Sequence, residues 1–375
     1  MANQLYFSRD TKVFIKVGSA VWEVPVLDGF SFSQATNSSE ITLAEMESTG
    51  GVSRRGRRQF NDSLAPAEWS FSTYVRPFIS AGSGSKAADD AANHHAVEEV
   101  LWALFSGPAT YASHTFTDQF VADTTDLNID FSESNKSTLG TADIFFVLGD
   151  TNKKIYQMKE CVVNEASIDF DIDGIATINW SGMGSEIVEG SEPTSTVTEG
   201  ITATNNFIRN RLTTLSVIPT SQNPTGDGSN ELAASYALTL TGGNITMSNN
   251  ITFITPEEIG LVNTPIGHVT GTRSISGSMT CYLNRDTVTP NASADLWEDL
   301  KSITSVVTNS FALTFNIGGT GSGVPKLSVS MPTCHLDIPT HSIEDVIAVE
   351  TAFNALPSTI DGTDEVTMTY TGIAL

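Results

Sequence analysis

The sequence predicts a mainly β fold: two tandem β-sandwich or barrel domains, each with one flanking α-helix. Three observations carry this. Short β-branched and aromatic runs are punctuated throughout by Gly, Asn, Ser and Thr, the pattern of strands and turns. The stretch EGSEPTSTVTEG at 189–200 has no aromatic residue and no large apolar cluster, and reads as a linker. The order of elements before it recurs after it, the mark of an internal repeat. At 375 residues the chain is also long for one core, so domains at 1–188 and 201–375 are expected.

Each element has its counterpart. VPVLDGFSFSQATNSSEIT reads as a strand pair turning at Asp28-Gly29, and ALTLTGGNITMSNNITFIT as one turning at Gly242-Gly243. A long polar loop follows in each half and leads into a strand, SFSTYV (70–75) against SMTCYL (278–283), setting Tyr74 beside Tyr282. Then comes a helix. Val97, Val100, Leu101 and Leu104 recur at helical spacing, and Gly107-Pro108 ends that run; Leu296, Leu300 and Ile303 repeat it with Ser293 as N-cap. The closing strands set Cys161 against Cys334 and Trp180 against Phe353. Trp102 and Trp297 lie among apolar neighbours and are assigned to packing.

Composition narrows the function. Hydrophobic content of 39% with 17% charged residues is that of a folded chain. A net charge of −24 excludes a general nucleic-acid binder, whose affinity comes from Lys and Arg on phosphates. The N-terminal residues MANQLYFSRDTKVFIKV show no apolar signal core, and no apolar run nears the roughly 20 residues that span a bilayer. No membrane binding is expected. Cys161, Cys281 and Cys334 are widely spaced, without CxxC, which fits reduced thiols. His94-His95 are adjacent and would point apart on a helix, which makes them poor joint ligands. No HExxH, GxSxG or Walker loop occurs, and IGGTGSGVP (317–325) reads as a hairpin loop. No catalysis and no cofactor are expected.

Two charged features remain. In the strand ending the first domain, Val162, Ala166, Ile168, Phe170 and Ile172 alternate with Glu165, Ser167, Asp169, Asp171 and Asp173, so the acids share one face. That face is either a solvated exterior or the wall of a channel that repels phosphates. In the second copy Asp337, Glu344 and Asp345 keep the acidity, while Pro339 and His341 interrupt it. The other feature is GVSRRGRRQFNDS (51–63), where Arg54, Arg55, Arg57 and Arg58 crowd one polar loop of an acidic chain. Against this charge balance a protein–protein clamp is favoured over a DNA contact or a solvated loop. The equivalent loop holds only Arg273. A duplicated open sheet can satisfy its edges by joining its sister and then the next chain, and such head-to-tail contacts close into a ring when the rotation permits.

The run RRQFNDSLAPAEWSFSTYVRP (57–77), with NNITFIT (249–255), VTGTRSISGSMTCYLN (269–284) and FNALPSTIDGTDE (353–365), resembles the major tail tube proteins of long-tailed bacteriophages, in particular the siphophage subtype with a duplicated tube domain. The resemblance runs from about residue 5 to the C-terminus. It implies tail-tube-type domains, three chains in a pseudo-hexameric ring, and rings stacked into a virion tail tube assembled in the host cytoplasm. It also implies a tape measure inside, initiator and terminator proteins at the ends, and passage of double-stranded DNA without binding. Arg54, Arg55, Arg57 and Arg58 would then form an inter-subunit or inter-ring arm. Glu165, Asp169, Asp171 and Asp173 would line the lumen. Some relatives append an immunoglobulin-like domain; none is expected here, because TMTYTGIAL follows the second tube domain directly. The alternatives are a monomeric β-sandwich binding or adhesin module, and the tube of a contractile injection apparatus.

Overall fold

Residues 5–41, 58–79, 93–112, 115–117, 120–131, 138–197, 206–220, 233–256, 258–259, 262–285, 291–302, 311–321, 323–360 and 362–373 are described by a computed structural model. Among them the protein is mainly β, with two α-helices, Glu99–Ser106 and Ser293–Ser302. Neither is long and apolar enough to cross a membrane.

The strand pairings come in two matching sets. In the first half Thr11–Val17 pairs with Ala142–Leu148, which pairs with the long strand Lys154–Asp171. The near end of that strand also takes Glu186–Glu189, and its far end takes Thr177–Gly184. Ala67–Tyr74 and then Ser31–Ser33 continue the sheet, while Thr36–Ile41 and Arg58–Leu64 form a separate hairpin. The second half repeats the order: Thr214–Pro219, Phe311–Ile317, Lys326–Leu336 with Thr367–Thr371, Ala348–Ala355, Ser274–Tyr282, Leu240–Ser248, and the hairpin Thr252–Ile254 with Gly267–Val269.

The match extends to single residues. Cys161 sits opposite Ala142 and its thiol reaches the Met158 carbonyl at 3.4 Å; Cys334 sits opposite Phe311 and reaches the Met331 carbonyl at 3.8 Å. Tyr74 and Tyr282 hold the same strand-end position, opposite Thr177 and Ala348. Counting from those tyrosines, Phe353 falls on the position of Gly182, two residues from the expected Trp180. The reason is a swap of volumes across one pair. Trp69 faces Gly182 in the first half, and Gly277 faces Phe353 in the second. An added Cβ would lie 2.6 Å from the Trp69 ring at Gly182 and 2.7 Å from the Phe353 ring at Gly277, so each site admits one large ring.

Three local expectations are corrected. Gly242-Gly243 is not a turn but lies within Leu240–Ser248, where an added Cβ on Gly243 would stand 2.4 Å from the Ser278 carbonyl and 2.9 Å from the Phe170 ring. His94 and His95 are not helical. They form a short strand against Pro77–Ile79, both buried, and the helix begins at Glu99. The long strand does not alternate strictly. A register shift between Val163 and Glu165 puts Val162 in a small cluster with Ile251 and Phe253, while Val163, Ala166, Ile168 and Phe170 enter the main core. Ile172, past the strand end, is exposed.

The halves share one core, which runs from Val13 and Trp22 to Met368 and Tyr370. Strand Leu240–Ser248 pairs directly with the far end of the long strand, and Thr367–Thr371 pairs with Leu127–Asp130 of the first half. The Trp102 indole N–H donates to the Tyr370 hydroxyl at 2.6 Å. The linker is itself tied down: Thr196 and Val197 donate backbone bonds to the Val21 carbonyl, and Lys153 pairs with Glu192 at 2.7 Å.

Candidate assembly and channel surface

Eight strand segments lie side by side in the order 31–33, 67–74, 177–184, 165–171, 240–248, 274–282, 348–355 and 340–342. Alternation gives this array one apolar and one polar face. Ala67, Trp69, Phe71, Ala166, Ile168, Ile178, Trp180, Ile245 and Met247 are buried, and their neighbours one residue away point outward.

The polar face reads as rows of directly opposed residues. One runs Ser72, Asn179, Ser167, Thr246, Ser276, Asn354 and His335 without a charged carboxylate. Its members bond across the strands: Ser72 donates to Asn179 Oδ1 at 2.6 Å, and the Ser167 and Thr246 hydroxyls stand 3.3 Å apart. Three of the four candidate acids stand along one strand of this face. Glu165 is half-buried between Ser181 and Ser248; Asp169 and Asp171 are exposed, and Asp169 accepts a bond from Asn179 Nδ2 at 2.8 Å. Asp173 lies beyond the strand, in the turn, 3.7 Å from Arg211. Glu68 and Glu350, which sequence reading passed over, point to the same polar side of the array and are exposed. The face is therefore mostly hydroxyl and amide, with carboxylates among them. Asp169 and Asp171 are neighbours along the strand, while their cross-strand partners Thr177, Asn244 and Gly242 are neutral, and exposure to water and salt screens the pair.

The arginine-rich loop springs from a hairpin. Arg58 is exposed at its base, opposite Ile41; Arg54, Arg55 and Arg57 lie outside the described residues. The matching hairpin of the second half differs in chemistry, with Ile254, Ile259, Val262, Ile266 and Val269 exposed. The two hairpins meet within the chain: Leu64 N–H donates to the Asn263 carbonyl at 2.8 Å, and Asn263 N–H to the Asp62 carbonyl at 3.2 Å. Arg273 is no counterpart of the arginine cluster. Its side chain is buried, donating to Glu365 Oε2 at 2.6 Å and to the Phe131 and Thr363 carbonyls, with its guanidinium over the Phe131 ring. It ties the second half to the first, a role that loop composition could not reveal because both partners are distant in sequence.

A second buried polar cluster surrounds the first helix. Glu98, fully buried, receives the Arg76 backbone N–H at 3.3 Å and the Tyr370 hydroxyl; burial pushes its carboxyl up to about 7. His95 Nδ1 stands 3.0 Å from Glu99 Oε2. Trp102 is fully buried, whereas Trp297 is half-buried, with Lys301 over its ring and His341 at its edge.

The sequence profile of phage tail tube proteins matches residues 102–372. The chain is also similar to the tail tube protein pb6 of Escherichia phage T5, 31% identical over 381 aligned positions that cover 96% of this chain and 75% of that protein. The chain belongs to the phage tail tube protein family. It is accordingly a structural subunit of the virion tail. The polar face described above ends at strands 31–33 and 340–342, each with one described strand neighbour.

Proposed function

We propose that residues 1–188 and 201–375 are two copies of one tube domain, and that three chains join head to tail into a closed ring whose polar sheet face lines a lumen. The carrying observation is the pairing of Glu165–Asp171 with Gly242–Ser248 inside the chain. It joins the far end of one domain's long strand to Leu240–Ser248 of the next domain, the counterpart of Ser31–Ser33. The equivalent edges at the chain's two extremes are Thr340–Ser342 and Ser31–Ser33. Among the described pairings each has a neighbour on one side only. One copy's 340–342 edge can therefore take the next copy's 31–33 edge, as the internal junction does. Such a contact is heterologous and propagates until it closes.

With three chains taken, the circumference follows from the strand count. Eight strands from each of three chains make a barrel of about 24, roughly 115 Å around at ~4.8 Å per strand before tilt. Barrels of roughly 16–18 strands already enclose an aqueous channel, so this one would be open. Its wall would offer hydroxyls, amides and the carboxylates of Glu165, Asp169 and Asp171, with Asp173 at the rim. DNA carries about one charge per 1.7 Å of axis. Against it such a wall gives no cationic sites to stall on, and repulsion acts over a Debye length of ~8 Å. The subunit would work by geometry and charge, with no catalytic step. Stacked rings would be joined by the loop of Arg54, Arg55, Arg57 and Arg58 meeting acidic neighbours, and capped by other tail proteins.

The test is a designed cross-link. Ser167 and Thr246 touch across the internal junction; by register their counterparts at the open edges are Thr340 and Ser33. The double variant Ser33→Cys/Thr340→Cys, oxidised after assembly, should give disulfide-linked species ending at a covalent trimer. The native cysteines are buried and add little background. Assembled tubes that yield no interchain disulfide would refute the edge pairing, and a ladder running past three would refute the ring size.

A further inference from the structure

The head-to-tail reading leaves a second pair of surfaces to be matched, and the chain again holds a docked example of it. At the junction between the halves, the turn after the long strand seats on the segment that opens the second half. Ala176 N–H donates to the Ile208 carbonyl at 2.8 Å, Asn210 N–H to the Gly174 carbonyl at 3.2 Å, and Ile175 bridges Arg209. Phe207 stands edge-on to Tyr74 at 5.1 Å, and Arg211 lies 3.7 Å from Asp173.

Both surfaces have counterparts at the ends of the chain. The short 3₁₀ turn Asn210–Leu212 leads into Thr214–Pro219 as Ser8–Asp10 leads into Thr11–Val17. Val217 faces Leu313 as Ile15 faces Ile144, which makes Tyr6 the counterpart of Ile208 and Arg9 that of Arg211. An independent contact agrees. A Cβ added to Gly318 would lie 2.9 Å from Ile208, and one added to Gly149 would lie 2.9 Å from Tyr6. On the other side, Thr177 and Ala348 both face the matched tyrosines, so Ile347 and Val346 stand where Ala176 and Ile175 do; the turn before Ala348 is two residues shorter, and Glu344 lies within it as Asp173 lies within the first.

The surfaces that are joined at the internal junction are open at the ends. Ile208 is 1% exposed, whereas Tyr6 is 48% and Leu5 73% exposed; Ala176 is 0% exposed, whereas Ile347 is 38% and Ile343 81% exposed. Two apolar patches near the two ends of the sequence, each the positional counterpart of one member of a docked pair, are both open and both apolar. Their charges also agree, Arg9 on one and Glu344 on the other. Arg9 now lies 3.7 Å from Asp10 and over the Phe7 ring, exposed arrangements that exchange readily for a new partner.

We infer that residues Leu5–Asp10 of one chain dock on the turn Ile343–Ile347 and Tyr282 of the adjacent copy, forming a latch beside the strand junction. The inference rests on the head-to-tail reading and adds a contact that edge pairing alone does not require. In it Leu5 packs on Tyr282 as Phe207 packs on Tyr74, Ile347 N–H donates to the Tyr6 carbonyl, Phe7 bridges Val346, and Arg9 faces Glu344.

The bridge pair supplies the test. In the full-length chain, Phe7→Cys/Val346→Cys should form an interchain disulfide on assembly, and neither single variant should. The 33/340 pair is run in parallel. Cross-linking at both sites supports the latch. Cross-linking at 33/340 with none at 7/346 overturns the latch and leaves the ring standing; cross-linking at neither overturns both. A second measurement covers poor disulfide geometry. Leu5→Ser/Tyr6→Ser/Phe7→Ser should raise the concentration needed for assembly by at least ~10-fold, because several exposed apolar groups no longer leave water on docking. The melting temperature of the unassembled chain should stay unchanged, and an unchanged assembly threshold would overturn the latch.

Discussion

Glu98 places a titratable burden in the middle of the fold. Its carboxyl is fully buried at the start of the first helix, and burial is the largest cause of its rise from 4.5 to about 7. Hydrogen bonds from its own backbone, the Tyr370 hydroxyl and the Arg76 backbone, and the Arg76 charge, pull the other way. His95 and Glu99 complete the titratable groups beside it on this element. The raised folded-state value means that the folded chain holds this proton more tightly than the unfolded chain does. The associated stability is fully present below pH ~4.5 and is lost as pH rises through ~7. A shift of about 2.5 units corresponds to about 3 kcal/mol. For a chain of 375 residues that is ~4 °C in melting temperature. Glu98→Gln keeps the shape and cannot ionise. Scanning calorimetry of the unassembled chain at pH 5, 7 and 8.5 should show the variant at or below the wild type at pH 5. It should gain on the wild type with pH, by ~3 °C between pH 5 and 8.5, since part of the effect is already lost at pH 5. Other carboxylates titrate in both proteins and cancel in the difference. Parallel melting curves across this range would show that Glu98 is not held protonated by burial, and the reasoning would fail.

Three further outcomes are expected. Changing Arg54, Arg55, Arg57 and Arg58 together to Ser should abolish tube assembly, judged by electron microscopy, while leaving the monomer's melting temperature within a degree or two; normal tubes would remove the clamp. Arg273→Met should destabilise the chain by about 3–5 kcal/mol in denaturant titration, since it strands the buried Glu365 carboxylate and two carbonyls; a loss below ~1 kcal/mol would contradict the buried tie. Asp169→Lys/Asp171→Lys should leave tubes intact yet slow DNA release from virions at low salt, with relief as salt rises; unaltered release would move this face off the DNA path.

Much of this architecture was legible because it is local. The 165–171 strand announced its faces by alternation, Gly107-Pro108 ended the first helix, and the repeated order of elements anticipated the doubled pairing scheme. What was not legible depends on partners far away in the chain. Arg273 looked like a weak echo of the arginine loop until Phe131 and Glu365 were seen around it. Gly242-Gly243 looked like a turn because nothing nearby says that Phe170 needs their space. The strict alternation drawn through Val162 failed at a bulge, which period-two reading cannot see. Ser293 looked like a helix cap, but the helix begins at Ser293 itself, and its hydroxyl donates to the Tyr282 carbonyl at 2.8 Å and accepts from Asn284 N–H at 2.9 Å, locking the preceding strand to the helix.

Under the proposed head-to-tail assembly, doubling the domain would change the physics of the ring. Of six domain junctions in a three-chain ring, half would be made inside a chain, where the linker holds the partners and no translational freedom is lost on joining. The contact between the halves buries Ile208 and Ala176 in the free chain, whereas the proposed external latch would stay solvated until a second copy docked. On that reading the free chain would carry one finished junction and two unfinished halves of another. The contact between the halves is held from both sides by a shared core, the Trp102–Tyr370 bond and the Arg273 bond to the Phe131 carbonyl. The unfinished one has none of these supports. Its stability would come from the proposed edge pairing plus the small apolar latch, a modest sum for each contact that would become decisive only when a third closed the ring. That difference would let the subunit remain soluble as a monomer and still commit cooperatively once assembly begins.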